Sequence, residues 1–309
     1  MTTLDKRLTP ARPDLADERL RGVVEAARFI AGVARVVVAP SAPLRRGPAA
    51  DAPLDTEALM GEPVTVYDER DGHAWVQLER DGYVGYLPSE ALGPATPAPT
   101  HRVTALRTFV YPGPDLKLPR LGHLSLGAGV TPVEVHQDYV LVSTGGWTFG
   151  GHVRQAEEHE RDFVTVAERL VGIPYLWGGK TSLGLDCSGL VQLSLLMAGI
   201  AAPRDADMQE RAVGADLPWM GGEVALRRGD LVFWRGHVGI MLDEARLLHA
   251  NGHHMAVAIE PFAEAEARIR AGSYGAVTAV KRLTTSRSAD PIGWHRRRAS
   301  TLTSNLGKT

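Results

Sequence analysis

Three side chains of this sequence have the chemistry of an acyl-transfer site. The only cysteine of the 309 residues, Cys187, stands between an acid and a serine in the stretch GLDCSGLVQ, and His237 and His249 follow downstream in GHVGIML and LLHANGHH. A thiol can attack a carbonyl carbon, one imidazole can take its proton, and a second polar group can orient that imidazole. The alternative is that the cysteine is a small buried apolar residue and that the histidines are ordinary surface or core residues.

The elements around these residues predict that they meet. Asp186, or the residue before it, is a candidate N-cap, and the apolar run that starts at Leu190 continues as a helix. Cys187 would then lie in the first helical turn, where free N–H groups and the positive end of the helix dipole favour a thiolate. His237 starts one predicted strand and His249 ends the next. A tight Asp-Glu turn between antiparallel neighbours would bring the two imidazoles side by side.

Two other motifs do not complete a site. WGGKTS resembles the end of a phosphate-binding loop, but that pattern needs glycine where Pro174 stands. HANGHH lacks the spacing of a zinc-binding helix, and one cysteine supplies neither a disulfide nor a thiolate zinc site. We therefore expect no metal and no organic cofactor. The remaining histidines are interpreted as ordinary surface or core residues: His73, His101, His123, His136, His152, His159, His253, His254 and His295.

Composition and charge limit the partners. The formal net charge is −2, and 44% hydrophobic with 23% charged residues is ordinary for a globular protein, so we expect neither nucleic acid nor a membrane as partner. The N-terminus MTTLDKRLTPARPDLADERL has no apolar core of the secretory type, and no run approaches the roughly 18 apolar residues that span a bilayer. We expect a cytoplasmic monomer, with an unrecognised export route as the alternative.

The order of predicted elements indicates an α+β protein with an N-terminal segment, residues 1–32. Short β-branched runs separated by turn signals predict a small SH3-like barrel over residues 33–95. After a Pro/Ala linker, a second set on the same plan predicts another SH3-like barrel over residues 101–153, which makes a degenerate repeat of roughly 50–60 residues. Over residues 155–284, helices precede antiparallel strands, and residues 285–309 form a basic tail that we expect to be loosely held.

A series of motifs carries a family resemblance. From Ala156 to Lys281 the chain resembles the NlpC-type murein peptidases in the order and spacing of six stretches: PYLWGG, LDCSGLVQ, PRDADMQ, RRGDLVFW, GHVGIML and LLHANGHHMAVAIEP. Those are papain-like cysteine peptidases that cut cell-wall peptides, so the resemblance implies a papain-like NlpC catalytic domain. The two small all-β SH3-like barrels before it extend the resemblance to the γ-D-glutamyl-L-diamino acid endopeptidases that recycle murein peptides.

The resemblance implies roles for the residues around the cysteine. Cys187 matches the nucleophile, His237 the base, and His249 the polar group that orients the base. Tyr175 matches a tyrosine whose hydroxyl is expected to help stabilise the oxyanion, alongside the backbone N–H of the cysteine. Two further positions match residues that bind the γ-D-Glu backbone and carboxylate of the substrate: Asp186 and Ser188.

Other positions near the cysteine are weighed in the same way. Trp177 either walls the substrate pocket or packs in the core. Relatives usually carry serine where Ala206 stands, so one substrate hydrogen bond is missing here. Arg204 and Gln209 are expected to hold the loop around Ala206 in shape.

In the first barrel, Glu62 and Tyr83 match residues that hold the free amine of an N-terminal L-Ala in the recycling subgroup. A carboxylate and a phenol in a closed pocket favour an ammonium group and reject an acylated one. The alternative is a strand-end acid and a barrel aromatic.

The implied activity is that of a cysteine endopeptidase. It would hydrolyse the γ-D-glutamyl–diamino acid bond of small murein peptides with a free N-terminal L-Ala, such as L-Ala-γ-D-Glu-meso-diaminopimelate. One alternative is an exported hydrolase of intact peptidoglycan. Another is a murein-binding protein with a non-productive catalytic domain.

Overall fold

The computed structural model describes residues 4–219 and 224–283. The predicted basic tail, residues 285–309, lies outside the described residues. The N-terminal segment lies on the first β unit, where Leu15 packs in one apolar cluster with Tyr67 and Trp75. The segment contains a parallel pair and a 3₁₀ turn: β1 (Ala16–Asp17), β2 (Phe29–Ile30) and Glu18–Leu20.

The first β unit is a sheet of seven strands. These are β3 (Val33–Val37), β4 (Ser41–Arg45), β5 (Leu54–Leu59), β6 (Pro63–Arg70), β7 (His73–Leu78), β8 (Val84–Pro88) and β9 (Leu92–Pro94), in the order β5-β4-β8-β7-β6-β3-β9, with a 3₁₀ turn at Ser89–Ala91. Burial alternates along β4, where Ala42 and Leu44 point into the core. The sequence does not predict the hairpin of β4 and β5, because Pro43 and the charged and small residues after it are typical of a loop.

The second β unit is made of three small sheets. Their strands are β10 (His101–Val103), β11 (Arg107–Val110), β12 (Gly122–Ser125), β13 (Gly129–Val130), β14 (Pro132–His136), β15 (Tyr139–Val142), β16 (Trp147–Phe149) and β17 (Val153–Gln155), with a 3₁₀ turn at Gly150–His152. Its core contains Val103, Leu124 and Val142 together with Met60 of the first unit, so the two units share buried apolar surface. The unit is all-β, and its description as a second SH3-like barrel stays a prediction.

The third unit has the predicted α+β organisation. Its elements are α1 (Phe163–Arg169), β18 (Lys180–Thr181), β19 (Gly184–Leu185), α2 (Cys187–Met197), α3 (Ala206–Ala212), β20 (Ala215–Leu217), β21 (Leu231–Trp234), β22 (His237–Met241), β23 (Arg246–Asn251), β24 (Ala256–Pro261), α4 (Phe262–Ala271) and β25 (Ala279–Arg282). The antiparallel sheet has the order β20-β25-β21-β22-β23-β24, and α1 and α2 pack on it in one apolar core.

Helix α2 is enclosed on all sides. Every residue from Cys187 to Leu195 is buried, because one side of the helix faces the sheet and another faces the β units, where Leu193 approaches Gly127. A helix that is buried on every side, with only Ser188, Gln192 and Ser194 polar among its residues, needs such an enclosure. Within the described part of the chain, no helix is long and apolar enough to cross a membrane. The enclosure fixes the start of α2 in space.

Gly189, in the first turn of α2, tests how tightly the helix is held. A Cβ at Gly189 would lie 2.2 Å from the carbonyl oxygen of Gly179 and 3.0 Å from Asp186 Oδ1. We expect Gly189→Ala to lower the free energy of unfolding by about 1–3 kcal/mol, because α2 and the loop that carries Gly179 must move apart. Urea denaturation followed by circular dichroism measures the change.

Gly272→Ala is the matched control for this substitution. A Cβ at Gly272 would meet its nearest atoms at 3.5 Å, an ordinary contact, and the backbone there has a negative φ. The control should leave the unfolding midpoint nearly unchanged. Equal midpoints for both variants and the wild type would contradict the tight packing at Gly189.

Candidate active site

The start of α2 places the thiol. Asp186 is the N-cap, and its Oδ1 accepts a hydrogen bond of 2.7 Å from the N–H of Gly189. Cys187 is the first helical residue, as the sequence predicts. Helix α2 packs on β22 and β23, so the thiol faces the strands that carry the two predicted histidines.

His237 and His249 lie side by side on neighbouring strands. The register of β22 and β23 pairs Ile240 with Leu248, and its continuation sets His249 diagonally across from His237 on one face of the sheet. His237 Nε2 lies 2.8 Å from His249 Nδ1. The predicted pairing of the imidazoles is present, and it leaves Nδ1 as the ring nitrogen of His237 available for another partner.

The thiol is uncharged in the resting site. Burial raises the pKa of Cys187 to about 12, and the Asp186 carboxylate adds to the rise, while backbone N–H groups of Val238 and Ser188 act in the opposite direction. The backbone N–H of Ser188 at the helix start favours a thiolate, as the sequence predicts, but the loss of hydration raises the pKa of the thiol by more. A thiolate at this position therefore has to be formed by proton transfer.

The imidazole of His237 is neutral. Burial lowers its pKa to about 3, and the nearby His249 and Arg268 lower it further. Its ring packs between Trp234 and Tyr274, at centroid distances of 5.7 and 5.4 Å. Since the unfolded imidazole takes up a proton near pH 6.5 and the buried one does not, this group's contribution to stability is present above pH 6.5 and is lost as the pH falls toward 3.

Two aromatic side chains, those of Tyr175 and Tyr274, lie near the thiol, and Trp177 lies on the loop before it. Tyr175 is partly buried, and burial raises the pKa of its hydroxyl, with the nearby Cys187 and Asp186 adding to the rise, so the hydroxyl stays a donor. Trp177 is 65% exposed, which removes the core-packing alternative. Tyr274 is 38% exposed and stacks on His237, and the sequence analysis did not single it out.

Asp186 and Ser188 belong to a buried network around Arg204. The guanidinium donates to Asp186 Oδ1 at 2.9 Å and to Oδ2 at 2.7 Å, to Ser188 Oγ at 2.9 Å, and to Thr56 Oγ1 of the first β unit at 2.7 Å. Gln209 donates to the carbonyl oxygens of Ser188 and Pro203. The expected loop-holding role of Arg204 and Gln209 is thus visible. Substrate contact by Asp186 and Ser188 stays a prediction.

Glu62 does not have the environment expected of an amine-binding residue. It has no exposed surface, and its Oε2 accepts from the N–H of Leu59 at 3.0 Å. Its carboxylate lies 3.3 Å from Arg80 and 3.6 Å from Lys180. The predicted role for Glu62 is therefore corrected: two cations already compensate its charge, and the side chain is closed off from any ligand.

Tyr83 lies beside a different carboxylate, that of Asp205. The ring is buried in the first β unit, and the hydroxyl donates to Asp205 Oδ2 at 3.1 Å. Asp205 is the N-cap of α3, yet its side chain makes no cap hydrogen bond and also receives Arg7 Nη1 at 2.7 Å. Among the described residues, Asp205 Oδ1 accepts no hydrogen bond. A phenol and a partly free carboxylate therefore meet between the first and third units.

Sequence reasoning also missed Glu260 and Arg268. Glu260 Oε1 lies 2.6 Å from His249 Nε2, and Arg268 binds both carboxylate oxygens of Glu260. A glutamate in the otherwise apolar strand AVAIEP was a usable signal, because a buried acid needs a partner. In the described ranges, no group of three or more His, Cys, Asp or Glu residues could hold a metal ion.

Comparison with known families divides the chain as the motifs do. Residues 44–92 match the family described as "Bacterial dipeptidyl-peptidase Sh3 domain", and residues 172–269 match the "NlpC/P60 family". The γ-D-glutamyl-L-lysine dipeptidyl-peptidase of Bacillus cereus is 26% identical, with 67% of this chain and 70% of that protein covered. The protein of the same name from Bacillus subtilis is 28% identical, with 67% and 75% covered.

A solved structure shares the fold. The crystal structure of an NlpC/P60 family protein from Bacillus cereus superimposes with a TM-score of 0.66 at 20% identity, covering 81% of this chain and 99% of that one. The likeness extends over most of both chains, so it includes the arrangement of the β units and the α+β unit. The predicted papain-like fold is confirmed.

The protonation state of Cys187 is directly measurable. Because burial raises the pKa of the thiol to about 12, alkylation by iodoacetamide at pH 7.5 should be about tenfold or more slower than that of free cysteine. The rate should still climb at pH 9.5, where free cysteine has levelled off. Mass spectrometry gives the rate. The Cys187→Ser variant contains no thiol, so it gives the background rate of alkylation. A rate equal to that of free cysteine at pH 7.5 would contradict a neutral resting thiol.

Proposed function

From the premise that this chain is a cysteine peptidase with an NlpC/P60 domain, we propose that it hydrolyses the γ-D-glutamyl–diamino acid bond of small murein peptides with a free N-terminal L-Ala. The observation that carries the peptide specificity is the Tyr83–Asp205 pair, which offers an ammonium site between the first and third units. The names of the two Bacillus relatives support the γ-D-glutamyl part of the proposal.

The chemistry follows from the neutral pair at the centre of the site. His237 takes the Sγ proton as the sulfur of Cys187 attacks the γ-carbonyl carbon, and the oxyanion is held by the Tyr175 hydroxyl and the Cys187 N–H. The C–N bond then breaks, and His237 returns the proton to the leaving amine of the diamino acid. Water, deprotonated by His237, hydrolyses the thioester and frees the thiol.

The Tyr83–Asp205 pair suits an ammonium group. Burial raises the pKa of Asp205, although Arg204 and Arg7 act in the opposite direction, so the carboxylate is still short of compensating charge. An ammonium at Oδ1 would supply that charge and a charge-assisted hydrogen bond. An N-acylated peptide has no positive charge at this nitrogen and two N–H donors fewer, so it would leave Arg7 as the only cation bound to the acid.

The first β unit closes the substrate site at this end. Its contacts with the third unit include three hydrogen bonds, Arg204 to Thr56, Lys180 N–H to Glu57 Oε2 at 2.8 Å and Tyr83 to Asp205, together with apolar packing of Met208. Such contacts hold the two units in one orientation. Because the N-terminal end of the substrate must fit against the first β unit, the site favours short peptides over peptides that are still linked to the glycan.

The proposed place of the reaction is the recycling of murein peptides in the cytoplasm. A stem peptide acquires a free L-Ala amine only after it has been released from the glycan, so an amine-selective peptidase acts after that release. The cytoplasmic location stays a prediction. Cell fractionation with an antibody against the protein tests it.

Defined peptides test the proposal. We expect purified protein to cleave L-Ala-γ-D-Glu-meso-diaminopimelate into L-Ala-γ-D-Glu and diaminopimelate, and to turn over the N-acetylated peptide about 10- to 100-fold less well, since a charge-assisted hydrogen bond contributes about 1.5–3 kcal/mol. Mass spectrometry identifies the products. Cys187→Ala should abolish cleavage. Equal turnover of free and acetylated peptides, or preferential release of peptides from intact peptidoglycan, would count against the recycling role.

Asp205→Asn tests the ammonium site itself. The amide keeps the shape but loses the charge, so KM for the free peptide should rise about 10-fold or more, while the acetylated peptide should be unaffected. Asp207→Asn is the matched control, because Asp207 also binds Arg7 but does not contact Tyr83. Parallel effects of both substitutions on both peptides would show that only the Arg7 cluster had been disturbed.

A further inference from the structure

A chain of polar contacts continues beyond the two histidines. His249 Nε2 lies 2.6 Å from Glu260 Oε1, and both groups are buried. Arg268 Nη1 lies 2.7 Å from Glu260 Oε2, and Nη2 lies 2.5 Å from Oε1. Glu260 is near the end of β24, and Arg268 is on α4, the helix that follows. The chain therefore runs from the thiol side of His237 through His249 and Glu260 to Arg268.

We propose that Glu260, held by Arg268, is a positioning residue that fixes the tautomers of His249 and His237 so that His237 Nδ1 can accept the thiol proton. The proposal rests on the roles of Cys187 and His237 given above, and it does not depend on which peptide is cleaved. Glu260 lies too far along the chain of contacts to touch the reacting atoms. It acts only through the two imidazoles.

The tautomers follow from the donors and acceptors. An ionised carboxylate only accepts hydrogen bonds, so His249 Nε2 must carry a proton toward Glu260. A neutral His249 then has a lone pair on Nδ1, and that nitrogen faces His237 Nε2. His237 Nε2 must therefore be the protonated nitrogen. The lone pair of His237 is left on Nδ1, the only ring nitrogen not engaged with His249.

The opposite arrangement disables the base. If His249 Nε2 accepted a hydrogen bond, its Nδ1 would carry the proton and donate it to His237 Nε2. His237 Nδ1 would then be protonated and could not take the Sγ proton of Cys187. A wrong tautomer of this kind lowers kcat strongly in histidine-dependent peptidases. In a serine protease, changing the buried aspartate of the triad to asparagine lowers kcat by about 10⁴-fold.

We call the chain of contacts from His237 through His249 and Glu260 to Arg268 the relay. The charges around it keep Glu260 ionised. Burial alone would raise its pKa, but hydrogen bonds from His249 and Arg268 lower it well below its usual range. The other groups that face the relay are His254, whose Nδ1 is 4.0 Å from Glu260 Oε1, and Glu264, which interacts with Arg268. Arg268 balances the carboxylate, so the resting relay has no net charge. When His237 takes the thiol proton, its Nε2–H stays donated to His249.

Glu260→Gln is the direct test. The side chain keeps its size, but its amide can donate to His249 Nε2 and so allow the opposite tautomers. We expect kcat on any peptide that the wild type cleaves to fall by about 10²- to 10⁴-fold with little change in KM. Glu266→Gln removes a carboxylate of the same helix that pairs with Arg270 and not with Arg268, and it should retain wild-type activity. Glu260→Asp, which retains the charge, should recover part of the loss.

Nitrogen-15 NMR of the histidine rings separates a positioning role from a structural one. In the wild type, Nε2 of both His237 and His249 should be protonated and Nδ1 of both should be unprotonated. In a folded Glu260→Gln variant the pattern should reverse. Wild-type tautomers in that variant would overturn the proposal whatever its activity, and so would reversed tautomers with full activity. Because the spectra need no substrate, these outcomes are independent of the proposed peptide specificity.

Discussion

The buried ion pair between Arg204 and Asp186 is the interaction on which the site depends. Asp186 caps α2, accepts the N–H of Gly178, and pairs with both terminal nitrogens of Arg204. Arg204 is 1% exposed and also reaches Thr56 of the first β unit. A buried pair repays its desolvation only when its remaining polar atoms are bonded, and here they are. One pair thus ties the thiol-bearing helix, the loop before it, the loop after it and a neighbouring unit together.

Burial also leaves the centre of the resting site without charged groups. The thiol and the two imidazoles are neutral because hydration is excluded, while the compensated acids, Asp186 and Glu260, flank them on either side. In the proposed mechanism, charge arises only when the sulfur attacks a substrate carbonyl. A site of this kind protects its nucleophile from small electrophiles and oxidants, since both prefer the thiolate.

Local features of the sequence were sufficient to predict where Cys187, His237 and His249 lie in the fold. The N-cap before Cys187, the apolar run after it and the strand positions of His237 and His249 are short-range patterns, and the structure has all of them. Helices α1 and α2 and strands β21 to β24 follow for the same reason, whereas α3, α4, β20 and β25 were not predicted. The hairpin of β4 and β5 could not be predicted from local propensity, because Pro43 lies in a strand only as a result of its pairing with β5.

What the sequence could not supply depends on contacts between distant parts of the chain. Glu62 looked like a free acid at a strand end, and only the arrival of Lys180 from the third unit makes it a buried, compensated one. Asp205 precedes α3, and its side chain contacts Tyr83 and Arg7 instead of capping that helix. Glu260 is one residue in a strand, and its partner on the next strand is set by register. Burial and pairing of this kind are properties of the assembled chain.

The separation of Arg7 from its partners has a consequence for biosynthesis. Arg7 binds Asp205 and Asp207 across 198 and 200 residues of sequence, and the segment that carries it lies on a β unit made of early residues. That β unit can form while the chain is still being translated, but the wall that includes Arg7, Tyr83 and Asp205 can close only after the third unit has emerged. The contacts of Arg7 and Tyr83 with Asp205 are thus made late in translation, and a truncated translation product carries the β units without them.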